Sequence, residues 1–216
     1  MSALQLPPQE NRESIPRNIR LLAVPQPSTD GERHLTRVRG EIDTMKDLAR
    51  SSPFVDFQEA DGTVEDVLSK MKETDWVHFA CHVKQDRANP LDSGPVLTQG
   101  RRLKLLDVAR LSRPQGGLAF LCACHTAMGD EQLSGEAIHM AAGMLLVGYE
   151  GIIATMWSIM DIHASRVAED VYKSFFSDGK VPDSRQAAEA SHDAIERLRD
   201  SGVSFSSWVP FIHVSL

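Results

Sequence analysis

Two reactive side chains sit at the ends of apolar runs in this sequence. Residues 75–82 (DWVHFACH) finish on the imidazole of His82, and residues 118–124 (LAFLCAC) finish on the thiol of Cys124. A free thiol has a pKa of about 8.5; a neighbouring imidazole stabilises the thiolate and carries its proton. Side by side, His82 and Cys124 make a nucleophile and its base. They can meet only if the two runs are neighbouring strands of a parallel sheet. Such strands lie about 4.8 Å apart, and groups leaving both carboxyl ends converge on one rim.

The rest of the chain supplies a sheet of that kind. Residues 18–24 (NIRLLAV) read as a first strand stopped by Pro25, and residues 54–58 (FVDFQ) as a second. Between them Leu35, Val38, Ile42, Met45 and Leu48 recur at helical steps, predicting a helix over 33–50. Thr63, with Asp66 three residues on, forms a capping-box pattern. A small hairpin across Gln99–Gly100 leads to a short helix near 106–111. Beyond Cys124, an apolar helix to about Val147, a strand over 151–158, a helix after Asp161 and a helix over 185–199 follow. The chain closes on a strand over 206–214, whose proline places it near an edge. Strands and helices alternate, and the inner strands are apolar on both faces. The expected fold is therefore α/β, a three-layer α-β-α sandwich on a mostly parallel sheet.

Composition narrows the function classes. The chain has 216 residues, with 23 Lys and Arg against 30 Asp and Glu, a formal charge of −7. Nothing in that balance displaces counterions from phosphates, so a nucleic-acid partner is excluded. Three cysteines cannot all pair, which argues against a disulfide scaffold and for a reducing compartment. No apolar stretch suits a signal peptide or a membrane span, so no membrane partner is expected and the location is cytoplasmic. Residues 1–17 read as a disordered lead-in, and residues 18–216 as a single domain. No G-x-G-x-x-G or G-x-x-x-x-G-K-[ST] supports a nucleotide-binding reading.

The segments around the two reactive groups, HFACH (78–82) and FLCACHTAMGDE (120–131), resemble the CHAT domain, a caspase-like and separase-related cysteine peptidase module. Residues 142–161 (AGMLLVGYEGIIATMWSIMD) are similar to that family's helix, turn and strand, and residues 207–214 (SWVPFIHV) to its final strand. The resemblance implies a caspase-like fold with His82 as the catalytic histidine and Cys124 as the nucleophile. Their spacing of about 40 residues is similar to the ~50 of caspases. It also implies an oxyanion hole formed by the backbone N–H groups of Val83 and Cys124. Val83 stands where the family usually has glycine. A branched side chain there resists positive φ and the close approach of a substrate backbone, which leaves a second reading open: a weakly active or inactive interaction module on the same fold.

Neighbouring residues have plainer readings. Cys81 points opposite to His82 and packs under a helix; Cys122 is a small buried hydrophobe. His78 shares a face with His82 but lies deeper, as a satisfied core histidine. Zinc on Cys81, His82, Cys122, Cys124 and His125 is disfavoured, because a C-x-C on a strand splays poorly for tetrahedral binding. No metal or organic cofactor is expected. Asp161 either caps the following helix or borders the substrate pocket, as the resemblance implies. His125 and Asp130 are further pocket candidates, and Glu131 is pocket wall or solvated surface. Glu136 suits the dipole of its helix. The expected function is a cysteine-type endopeptidase that cleaves protein or peptide substrates through a thioester acyl-enzyme, with a regulatory protein partner possible.

Overall fold

A computed structural model describes residues 18–84, 86, 88–111, 117–123, 136–157, 159–177 and 179–215. In chain order they form β1 (Ile19–Pro25), α1 (Val38–Ser51), β2 (Val55–Glu59), α2 (Val64–Met71), β3 (Trp76–Cys81) and β4 (Val83–Lys84). Then follow β5 (Gly94–Pro95), α3 (Leu105–Ala109), β6 (Leu118–Ala123), α4 (Glu136–Leu146) and β7 (Gly151–Thr155). The last elements are α5 (Asp161–Phe176), α6 (Ala187–Asp200), α7 (Phe205–Trp208) and β8 (Phe211–Ser215).

Six strands make one sheet in the order β2-β1-β3-β6-β7-β8; every pairing is parallel except that of β8 with β7. Every residue of β3 and β7 is buried, as befits strands covered on both faces. On one face α1, α5 and α6 lay down Ile42, Met45, Val171, Phe175, Ala190 and Ala194 against Trp76, Ala80 and Phe120. On the other face α2, α3 and α4 cover Val77, Phe79, Cys81 and Leu121 with Val67, Met71, Val108 and Met144. Each large side chain buried this way contributes about 1.5–3 kcal/mol. The architecture is the caspase-like α-β-α sandwich.

Several boundaries differ from the periodic reading, each for a local reason. The first helix begins at Val38, not near residue 33. Leu35 is buried at 1 % exposure, but from an irregular segment that precedes the helix. The final strand is split. Residues 205–208 form a short helix, Pro210 follows, and the strand runs antiparallel from Phe211. The proposed capping box is half formed: Thr63 Oγ1 accepts from Asp66 N–H at 3.3 Å. The carboxylate of Asp66 accepts from Asp61 N–H instead of returning to Thr63. Residues 1–17 lie outside the described residues.

Gly117 immediately precedes β6 with φ at 94°, and a Cβ there would lie 2.0 Å from the Asp75 carbonyl oxygen. Gly117→Ala therefore combines left-handed strain with a backbone clash. It is expected to destabilise the fold by roughly 2–3 kcal/mol, read as a lower denaturant midpoint at unchanged slope.

Candidate active site at the carboxyl rim of the sheet

Strands β1, β3, β6 and β7 all point the same way, so their carboxyl ends share one rim. The chain leaves β1 for β2 in one direction, while β3 adds on the other side. The crevice of such a sheet lies where the order reverses, between the ends of β1 and β3. Residues 26–37 pass over this point as a strap before α1. Gln26 N–H donates to Ala80 O at 2.9 Å, and Leu35 N–H to Pro27 O at 2.8 Å. At the far end, Asp161 Oδ2 accepts from Thr36 Oγ1 and from Arg37 N–H, both at 3.1 Å.

His82 follows β3 directly and is 1 % exposed beneath the strap. Its Nε2 lies 2.7 Å from the carbonyl oxygen of Arg33. A carbonyl can only accept, so Nε2 carries the hydrogen. In the neutral ring the basic lone pair is then on Nδ1. Nδ1 is buried and has no hydrogen-bond partner among the described residues. A buried nitrogen left unpaired costs about 1–3 kcal/mol, so it calls for a donor. The β3–β6 register pairs Cys81 with Ala123, and the next residues along the two chains are His82 and Cys124. Cys124, His125, Asp130 and Glu131 lie outside the described residues.

Val83 occupies ordinary backbone. β4 pairs antiparallel with β5, Val83 opposite Pro95, and Val96 N–H donates to His82 O at 2.8 Å. Hydrogen-bonded and non-bonded pairs alternate in such a ladder. With His82 and Val96 as a bonded pair, Val83 and Pro95 are a non-bonded one, and the Val83 N–H points away from β5. Val83 does not adopt the positive φ that a branched side chain resists. Among the described residues only Gln99 has positive φ without being glycine, so valine sits here without backbone strain. Its side chain packs against the core on the α2–α4 face.

Asp161 is the first residue of α5, whose cap position is Met160, so Asp161 does not cap its own helix. Its carboxylate ties down the strap instead. His78 is fully buried and satisfied on both nitrogens: Nε2 lies 2.7 Å from Glu41 Oε1, and Nδ1 lies 3.2 Å from Tyr172 Oη. Phe120 packs beside its ring at 4.8 Å between centroids. The partners of His78 are 37 and 94 residues away, and no sequence pattern announces them.

Cys81 is buried on the face opposite to His82, and burial, with a smaller push from the Glu41 carboxylate, drives its thiol pKa up to about 12. Cys81 is therefore expected to resist iodoacetamide at pH 8 in the folded protein and to react once denaturant opens the core. Peptide mapping by mass spectrometry checks this. A folded-state reaction at Cys81 as fast as a free thiol's would contradict it.

Further along the rim, Trp157 Nε1–H donates to Ser206 O at 3.2 Å and joins the loop after β7 to α7. There Phe205, 67 % exposed, meets Trp208 edge-on at 5.2 Å. Among the described residues no three His, Cys, Asp or Glu converge as metal ligands, and no helix is long and apolar enough to cross a membrane. A groove of about 310 Å³ between α1 and α5 and another of about 360 Å³ at the amino ends of β1 and β3 both lie apart from His82.

The family model of the CHAT domain matches residues 2–215. No curated protein matches the chain.

Proposed function

The chain belongs to the CHAT-domain family, which is related to caspase-like cysteine peptidases, and we propose that it is itself a cysteine-type endopeptidase. The observation that carries this reading is His82: its tautomer is set by Arg33, and its basic Nδ1 is buried at the rim without a partner among the described residues. In this reading Nδ1 takes the proton of the Cys124 thiol, and the thiolate attacks the carbonyl carbon of a peptide bond. The tetrahedral oxyanion is held by the N–H groups of Val83 and Cys124. Collapse breaks the C–N bond, the proton on Nδ1 goes to the leaving amine, and a thioester acyl-enzyme remains. Water, deprotonated by Nδ1, then releases the acid and the thiol. Throughout, the Arg33 carbonyl dipole steadies the imidazolium that forms on each transfer.

His125, Asp130 and Asp161 border the substrate pocket in this reading, Asp161 by fixing the strap above His82. No metal or organic cofactor takes part, and the protein acts on polypeptides in the cytoplasm. The rival reading, a module that keeps the fold but cleaves little, draws on Val83: its backbone carries no positive-φ strain, and its branched side chain still stands where a substrate backbone would approach.

Incubation with an unfolded polypeptide, followed by mass spectrometry of the fragments, tests the proposal. Internal cleavage is expected from the wild type, unchanged by EDTA and absent from Cys124→Ala. Intact polypeptide after incubation with the wild type, or equal cleavage by both forms, would overturn it.

A further inference from the structure

We propose that the Glu32–Lys84 ion pair is a positioning device for His82, a reading that rests on the peptidase proposal for its catalytic consequence but not for its structural one. Glu32 directly precedes Arg33, whose carbonyl accepts from His82 Nε2, and Lys84 directly follows Val83. Lys84 Nζ lies 2.7 Å from Glu32 Oε1. These links close a ring. The chain runs from His82 through Val83 to Lys84, crosses to Glu32 by the ion pair, passes to Arg33 and returns to the imidazole by the hydrogen bond.

Two features point to a built contact rather than a chance surface pair. Glu32 follows a turn in which its own N–H donates to Thr29 O at 3.0 Å and Gly31 adopts φ of 78°, a left-handed conformation glycine tolerates. Asp30, Gly31, Arg33 and His34 are all exposed, yet the Glu32 side chain is only 14 % exposed, turned inward onto Lys84. Partial desolvation strengthens the pair beyond a fully solvated one. The ends of the strap are fastened elsewhere, at Ala80 and Asp161. The ion pair fastens its middle, next to the one carbonyl that selects the tautomer of His82. It also ties the strap to β4, whose pairing with β5 sets the direction of the Val83 N–H. Glu32 and Lys84 touch no reacting atom in this scheme; they act through Arg33 and Val83.

The test uses Glu32→Gln, Lys84→Met and the charge reversal Glu32→Lys with Lys84→Glu, with Arg50→Met as a control for an exposed pair made elsewhere, with Asp47. The first readout is ¹⁵N NMR of His82, which needs no enzymatic activity. Wild type should show the Nε2–H tautomer, and each single variant a mixed tautomer population. The second readout is the pH profile of Cys124 alkylation by iodoacetamide, expected to be about tenfold slower near neutrality in each single variant, and restored at least in part by the reversal. Arg50→Met should leave both readouts at wild-type values. Wild-type ¹⁵N shifts in both single variants would overturn the positioning role even if the protein proves to be a peptidase. Shifted His82 signals in a protein that cleaves nothing would keep the positioning role and discard the peptidase reading.

Discussion

Replacing His82 with alanine is expected to lower kcat/KM for peptide cleavage by about 10²–10⁴-fold, the range typical of a lost general acid–base. The side chain is buried and donates to the Arg33 carbonyl, so the variant also loses a hydrogen bond and gains a small cavity. Those costs fall on stability and do not remove the thiol. Circular dichroism should still report the wild-type fold. Exogenous imidazole is expected to restore part of the rate by entering the cavity, a rescue that a merely structural histidine would not show. A variant within threefold of wild type would exclude His82 as the base.

The second large effect falls behind the rim, where Glu41, His78 and Tyr172 form a buried polar chain. The Glu41 side chain is 5 % exposed and that of His78 is fully buried. The chain is satisfied with Nε2–H of His78 donating to Glu41 and the Tyr172 hydroxyl donating to Nδ1. Glu41→Leu removes the acceptor of His78 Nε2–H, on a ring that is fully buried. Breaking one side of a buried pair costs about 3–5 kcal/mol, and at this chain length that lowers Tm by roughly 6–20 °C. Glu41→Gln keeps an acceptor for Nε2 and should cost only about 1–2 kcal/mol. Differential scanning calorimetry separates the two. Equal Tm values for Glu41→Leu and wild type would show that the chain contributes nothing to stability.

The strands that carry the site were legible in sequence because their burial is written as unbroken apolar runs. Trp76–Cys81 and Leu118–Ala123 stand out on that basis, and in the structure they lie side by side. Periodicity misplaced Leu35, because a residue anchoring an irregular strap is as apolar as one on a helix stripe. It also merged Ser206–Trp208, which belong to the short helix Phe205–Trp208, with the final strand, since a short stretch before proline has no period of its own. Asp161 looked like a cap because aspartate favours that position, yet its carboxylate serves a segment more than a hundred residues earlier. Val83 looked costly because the family's glycine suggested a special φ, and only the antiparallel pairing with β5 shows extended backbone. The contact that fixes the tautomer of His82 was beyond sequence reading. It comes from a main-chain carbonyl, and every residue has one. The positions of Cys124, His125 and Asp130 lie outside the described residues, so the thiol's part in the site rests on the register of β3 and β6 and on the family.

Labelling with a peptidyl acyloxymethyl ketone, followed by peptide mapping, tests the pairing of imidazole and thiol most directly. We predict a single thioether adduct on Cys124, none on Cys81, and a labelling rate that collapses in His82→Ala. A probe that leaves Cys124 unmodified, or modifies it equally fast without His82, would contradict the account.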